Sequence, residues 1–451
     1  MRHLISCIAG LLLGAGTAMA HEGPLDPTFG DSGMRNYGFQ AVNGALIDRA
    51  YVGCPGPDGT FTIVGAASGW QRVVTVRLRD NGDYETSFSD DGKQSFDLPA
   101  TPAEFSPGAC QADGHVVVAR AITAPDGEQN LQIFRVLKST GLPDGSFGTG
   151  GVIGIDLDQW IPNLAKEELP LGVNQLANGD IAVSGRVVLA VGGERGFVVL
   201  LAANGSLRRA AILDNLRSRT ATTVVDAPDG RLWAFGQNGR VNGAYRAVLN
   251  RDSLIWEGVL EQQAPPGYTT WVGNGRAVDG QTIVLASSSG PTPAYSAPPQ
   301  LIVFRGDSVS AFTLPIAPVG GQGIGVVARF GLQGVTVLPR RRVLFGALAM
   351  YAANNTDVGI HFAMGEIGTT SADDRVDTMF GDNGAQTAIF RPTANACNIP
   401  SRTHRYGRLT LWRNRPVFVG GVDASCLGTG AGEDYLVARL QTDDIFAGAF
   451  D

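Results

Sequence analysis

Leu25-Asp26-Pro27-Thr28-Phe29-Gly30-Asp31-Ser32-Gly33 decides the fold, because altered copies of it return along the chain. Tyr84 to Gly92 (YETSFSDDG), Leu142 to Gly151 (LPDGSFGTGG) and Val376 to Gly384 (VDTMFGDNG) are those copies. A short run of strand-like sequence follows each one: GMRNYGF at 33–39, GKQSFDL at 92–98, GVIGIDL at 151–157 and GAQTAIF at 384–390. A unit that recurs at this spacing sets the architecture before any local assignment is made.

A second signal interleaves with the first. Apolar strands follow an Asp-Gly or equivalent turn in PDGTFTIVG at 57–65, ADGHVVVAR at 112–120, ANGDIAVSG at 177–185, PDGRLWAFG at 228–236 and VDGQTIVLA at 278–286. Asp-Gly between two strand patterns predicts a type I′ hairpin, whose two central residues both need positive φ. PRRRVLFGA at 339–347 and RNRPVFVGG at 413–421 are copies that have lost the turn residues, making seven. The turns lie roughly 50–65 residues apart, room for about four strands of ordinary length. A third strand carries an arginine near its end, at Arg77, Arg135, Arg246, Arg305 and Arg439. Helical periodicity is nearly absent, and Asn163 to Glu168 is the one stretch expected to make a helical turn.

Four-stranded units repeated seven times predict an all-β fold, a seven-bladed β-propeller of antiparallel blades. The last unit lacks a proper fourth strand, and residues 25–39 are a fourth strand without the preceding three. The amino-terminal strand is therefore expected to complete the last blade and close the ring. Gly320 to Phe330 is ambiguous and leaves six or eight blades as alternatives.

The LDPTFG-like segments, the Asp-Gly strand pattern and the arginine of the third strand together resemble the delta-60 repeat family of bacterial exported proteins. The resemblance covers most of residues 25–451 and is strongest in the first two units; units three to five have lost the Phe-Gly segment. It implies a propeller of exported type and carries no agreed activity.

Composition agrees with a turn-rich strand protein. Glycine supplies 61 of 451 residues, about twice the usual share of roughly 7%. Residues 1–20 read as a secretory signal: Arg2 and His3, an apolar core from Leu4 to Leu13, and small residues ending at Ala18-Met19-Ala20. Residues 21–451 are then expected to form one exported domain, periplasmic or extracellular, monomeric and without a transmembrane segment. A formal charge of −7 argues against nucleic acid as a partner.

Cys54, Cys110, Cys397 and Cys426 remain after processing, an even number in an exported chain, which favours two disulfides over a metal cluster. Cys54 and Cys110 precede the Asp-Gly turns of adjacent first strands, on one face of the propeller. Cys397 and Cys426 fall in loops on the other face, so the expected pairs are Cys54–Cys110 and Cys397–Cys426.

No HExxH, GxSxG or phosphate-loop pattern occurs, and no cofactor is implied. His21 would be the new amino terminus, where copper can bind through the amine and one imidazole nitrogen, but that also needs a second histidine nearby, and a frayed tail is the favoured explanation. His115 and His361 are read as strand residues in core or interblade positions. The aspartates at 26, 31, 90, 91 and 382 lack the one-three-five spacing of a calcium loop, and tight turns use the same residues. The recurring arginines are expected to pair with nearby turn carboxylates as blade-to-blade links.

One cationic cluster stands out: Arg402, His404, Arg405, Arg408, Arg413 and Arg415. Arg402, His404, Tyr406 and Arg408 share a parity and would lie along one side of a regular strand at the channel mouth. An arginine fork beside an aromatic ring suits carboxylated or sulfated groups. The competing explanation is pairing with acidic residues across the ring closure, Asp48 among them. The function expected is a non-enzymatic binding scaffold for an anionic glycan or an envelope protein. A propeller enzyme of hydrolase, lactonase or quinoprotein type, with its site at the central channel, is one alternative, and a structural module of the cell envelope is another.

Overall fold

The computed structural model describes residues 25–39, 48–67, 72–98, 106–159, 165–190, 192–213, 218–291, 296–317, 324–327, 333–351, 357–389, 404–423 and 433–441. Among them the chain alternates strand and tight turn, with three-residue 3-10 turns and no α-helix.

Strands Arg49–Pro55, Phe61–Ala67, Arg72–Leu78 and Lys93–Asp97 pair in that order as an antiparallel meander. The same up-and-down order joins Gly108–Cys110, Val116–Thr123, Gln129–Val136 and Val152–Ile155, and then Ala165–Gln175, Ile181–Leu189, Glu194–Leu201 and Leu207–Ile212. Meanders opening with Thr223–Asp226, Tyr268–Ala277 and Gln333–Leu338 follow. The final sheet takes His404–Trp412, Arg415–Asp423 and Glu433–Arg439 from the carboxyl-terminal end and Met34–Tyr37 from the amino-terminal end, Met34 lying opposite Ala438.

Burial explains the sequence of each strand. Phe61–Ala67 and Gly243–Leu249 are buried along their whole length. Both faces of such a strand are covered, so both parities are apolar or small. The fourth strands Lys93–Asp97 and Trp256–Gln262 are half-exposed and polar at many positions. The apolar clusters sit between successive sheets rather than in one central core. Val52, Val64, Val118 and Phe134 join the first two meanders. Phe61, Trp412, Val417 and Tyr435 join the first to the last in the same way, with the Phe61 and Trp412 rings stacked at 4.9 Å.

Asn163 to Glu168 is not helical where it is described: Ala165–Gln175 is an eleven-residue strand. Leu169, Leu171 and Val173 alternate along it, and pairing with Ile181–Leu189 satisfies its backbone, which outweighs a weak local preference. Ile324–Val327 pairs with residues 349–351 and so extends an existing sheet.

The repeated turn has one geometry in each copy. The motif acid accepts a hydrogen bond from the main-chain N–H two residues on: Thr28 to Asp26 at 2.9 Å, Ser87 to Glu85 at 3.1 Å, Ser146 to Asp144 at 3.0 Å and Met379 to Asp377 at 3.1 Å. The closing glycine then donates to the phenylalanine carbonyl, as Gly33 does to Phe29 at 2.8 Å. Gly33, Gly92, Gly151 and Gly384 have φ of 93°, 83°, 92° and 95°. Glycine alone reaches that region freely.

The first Asp-Gly hairpin has positive φ at both Asp58 (53°) and Gly59 (75°), as expected, and three others differ. In 111–115, 176–180 and 227–231 the glycine has positive φ but the residue before it does not. Gly114 donates to the Gln111 carbonyl and Gln111 to that of His115, a type I turn followed by a left-handed glycine. The extra residue matches the strand twist without requiring positive φ at aspartate. Two adjacent positive-φ residues also occur in the copies that lost the motif, Arg340 and Arg341 at 62° and 61° and Arg413 and Asn414 at 51° and 63°; Trp412 and Arg415 pair directly across the second of these two-residue loops. His115 sits in a turn, not a strand, its Nδ1 2.9 Å from Asp113. His361 is a buried strand residue, as expected.

The third-strand arginines pair with acids of their own sheet (Arg135, Arg439) or of the next (Arg246, Arg305), so the expected blade-to-blade pairing holds in part. Arg135 pairs with Asp144 at 2.6 Å and Arg439 with Asp26 at 2.8 Å, both almost fully buried. Arg305 pairs with Asp374, and Arg246 with Asp307 at 3.1 Å. Arg77 is the exception. Its corresponding acid, Glu85, is one methylene longer and is taken by Arg79 at 3.1 Å, while Arg77 donates to the Lys138 carbonyl and lies 4.1 Å over the Phe88 ring. Each of these arginines also reaches a carbonyl of the following sheet: Lys138, Ala203, Gly306 and Gly368 for Arg77, Arg135, Arg246 and Arg305, and Asp80 for Arg439.

Candidate functional site at the meeting of the first strands

The first strands of successive meanders contact one another in chain order, and His404–Trp412 contacts Arg49–Pro55. Four of them carry a register shift near their middle, between Ala50 and Val52, Pro170 and Gly172, Val272 and Gly275, and Tyr406 and Arg408. A bulge bends a strand and re-aims its side chains. Where five of these strands converge they enclose a cavity of about 450 Å³.

Its wall is polar and cationic. Gln111, Asn174, Gln175, Arg276, Arg408 and Thr410 line it, beside Val52, Gly53, Cys110 and Val173, and no carboxylate is among the described lining residues. Gln175 Oε1 accepts the Ala112 N–H at 2.7 Å, tying two first strands together. Arg276 Nη1 donates to the Gly275 carbonyl at 3.0 Å, and Arg408 Nη2 to the Leu171 carbonyl at 3.2 Å. Gln111 is 5% exposed, and its Oε1 is buried without a hydrogen-bond partner.

The disulfide Cys54–Cys110 holds two of these strands at a Cα separation of 5.5 Å, with Cys110 in the cavity wall. Cys397 and Cys426 lie outside the described residues.

Of the four residues expected to form an anion site, Arg408 alone lines the cavity with a described side chain, and it is buried. Arg402 lies outside the described residues; His404 and Tyr406 are placed as strand backbone only. The bulge between Tyr406 and Arg408 interrupts the alternation that would align all of them on one side. Two others of the cluster pair with acids: Arg415 lies 2.5 Å from Asp26 and Arg413 3.6 Å from Asp80. Asp48 accepts the Phe39 N–H at 2.8 Å. Gln111, Asn174, Gln175 and Arg276 were not singled out by sequence reasoning. Each flanks an Asp-Gly turn or its equivalent, and that repeat position is the signal that could have found them.

Two buried titratable groups lie elsewhere in the architecture. Glu168 accepts the Leu157 N–H at 2.6 Å and the Leu131 N–H at 3.2 Å, and burial pushes its carboxyl up to about 8. His361 lies between Thr387 Oγ1 and the Pro315 carbonyl, each at 3.2 Å, and burial lowers it to about 4. Among the described residues no group of three or more His, Cys, Asp or Glu side chains is placed to hold a metal ion, and no helix is long and apolar enough to cross a membrane.

No family model matches the chain, and no curated protein matches it. Among solved structures it is similar to hydrazine synthase of Kuenenia stuttgartiensis, at 10% identity over 72% of this chain and 78% of that one, TM-score 0.45. A protein of unknown function from Dyadobacter fermentans matches at 11% identity over 91% of this chain and 99% of that one, TM-score 0.43. The β-propeller domain of the Trilobed protease from Pyrococcus furiosus matches at 8% identity, 72% and 83% coverage and TM-score 0.35. With every score under 0.5, these likenesses carry no argument about site or chemistry. The class defined by the chain's own geometry is an all-β protein of four-stranded antiparallel meanders whose first strands surround a polar cavity.

Proposed function

We propose that the chain is an exported seven-bladed β-propeller of the delta-60 repeat type, closed by its amino-terminal strand, and that it is a non-enzymatic scaffold binding anionic ligands in its central cavity. Closure is supported by contacts that recur between the last and first sheets as they do between inner neighbours. Arg439 reaches Asp80 as Arg77 reaches Lys138, and Phe29 packs on Gly82 as Phe88 does on Gly141. Export is supported by residues 1–20 and by the Cys54–Cys110 disulfide, since such bonds persist in oxidising compartments.

The observation that carries the binding role is the cavity wall: Arg276 and Arg408 with neutral amides and a hydroxyl, and no carboxylate among the described lining residues. Guanidinium groups on low-dielectric walls attract and orient carboxylate or sulfate. The test is titration of the purified mature protein with acidic oligosaccharides at low and high salt. Binding that weakens with salt and falls on Arg276→Met is expected; binding unchanged by Arg276→Met and by Arg408→Met would place the site elsewhere.

A further inference from the structure

Gln111 brings to the cavity a chemistry that an anion alone does not use. Its amide oxygen is buried, has no hydrogen-bond partner and belongs to a side chain lining the cavity. A buried acceptor without a donor is costly to keep, and each one calls for a partner such as a water or a ligand. The position does not require glutamine for the fold. The adjoining turn is held by main-chain bonds, Gly114 to Gln111 at 2.9 Å and Gln111 to His115 at 2.9 Å, and any residue could supply those groups. Among the described residues no donor meets the amide oxygen.

The same wall carries the opposite requirement. Arg276 and Arg408 already have protein partners and are donors only, with five N–H groups each, so an occupant that meets any of those groups accepts from them. One molecule satisfies both demands if it carries a hydroxyl and an acid on one small frame. The volume of about 450 Å³ falls within the roughly 300–1,000 Å³ of small-molecule sites. Residues of five first strands and their turns line it.

We infer that the cavity is a sugar-acid site, taking a hydroxylated carboxylic acid of one or two sugar units, with Gln111 Oε1 accepting from a ligand hydroxyl and the arginines facing its carboxylate. This rests on the anion-binding reading above and adds to it the ligand class and the residue that selects the hydroxyl.

The test uses the mature, disulfide-bonded protein and calorimetric titration with three probes of similar size: galacturonic acid, galactose and cyclohexanecarboxylic acid. Galacturonic acid is expected to bind about tenfold or more tightly than either of the others, one lacking the acid and the other the hydroxyls. Gln111→Leu is expected to weaken galacturonic acid about tenfold, leave cyclohexanecarboxylic acid unchanged, and leave the melting temperature equal or higher, because it removes an unsatisfied buried acceptor. A merely structural glutamine would lower the melting temperature instead. Gln111→Met gives the same comparison if the branched side chain does not fit, and the three-probe ranking stands on the unmutated protein alone. Equal binding of galacturonic and cyclohexanecarboxylic acids, or a ranking unchanged by Gln111→Leu, would overturn the hydroxyl selection while leaving an anion site. Binding of long acidic oligosaccharides without binding of galacturonic acid or its dimer would overturn the inference and spare the broader reading. Failure of all acidic ligands would remove both.

Discussion

Arg439 Nη1 donates to the main-chain carbonyl of Asp80 at 2.6 Å across 359 residues of sequence. The same side chain pairs through Nε with Asp26 at 2.8 Å and lies over the Phe29 ring at 4.9 Å. Three segments remote in the chain, the amino-terminal turn, the first sheet and the last strand, therefore meet on one guanidinium.

Asp26→Asn tests that junction. Burial alone would raise the Asp26 carboxyl, but two hydrogen bonds from Thr28 and the charges of Arg439 and Arg415 outweigh it and hold the group below its ordinary 3.8. A depressed carboxyl contributes stability that is present above its unfolded value and is lost as pH falls through its folded one. The variant should be less stable by about 3–5 kcal/mol near neutrality, the range for breaking a buried pair. The gap to the wild type should close below about pH 4, measured by urea unfolding across pH.

Arg77 and Arg135 occupy one repeat position with different partners, so their loss should differ. Arg135→Met strands the buried Asp144 carboxylate and should cost about 3–5 kcal/mol. Arg77→Met leaves no orphaned acid and should cost only about 1–2 kcal/mol, for lost hydrogen bonds and ring contact. Equal losses in thermal melts would contradict the assignment of partners.

Gly82→Ala and Gly141→Ala should destabilise alike. Their φ values are 86° and 72°, and an added Cβ would lie 2.9 Å from the Phe29 ring and 2.5 Å from the Phe88 ring. The strained backbone and the clash together should cost about 1–3 kcal/mol. Gly82 faces the last sheet and Gly141 faces the first, so a silent Gly82→Ala would argue that the amino-terminal turn does not close the fold. Chemical denaturation of the two variants in parallel checks this.

His361 gives a pH signature of its own. Its folded value of about 4 lies under the ordinary 6.5, chiefly through burial, so its contribution is present above pH 6.5 and is lost as pH falls toward 4. His361→Gln should flatten that limb of the stability profile. An unchanged slope between pH 6.5 and 4 would show that the ring is protonated in the folded state.

Non-reducing peptide mapping should link Cys54 to Cys110 and, by the argument from loop faces, Cys397 to Cys426. Replacing Cys54 and Cys110 together by alanine should cost about 2–4 kcal/mol, read from melting under identical buffer. A fragment joining Cys54 to Cys397 would refute the pairing.

The sequence by itself determined the repeating unit. Positive φ at Gly33 and its counterparts, a carboxylate two residues before a main-chain donor, and buried strands with both parities apolar are local requirements, so they leave a local record. The adjacent first strands could be read far enough to pair Cys54 with Cys110.

Tertiary structure alone decided what those units share. Arg408 lies against Leu171, 237 residues away, and Gln111 gains meaning only once Arg276 stands in the same wall. The bulge after Tyr406 breaks a parity that the sequence leaves intact. A strand's alternation specifies which side chains share a face. What that face meets depends on how the sheets are arranged around one another, and each central position is assembled from single residues spaced far apart in the chain.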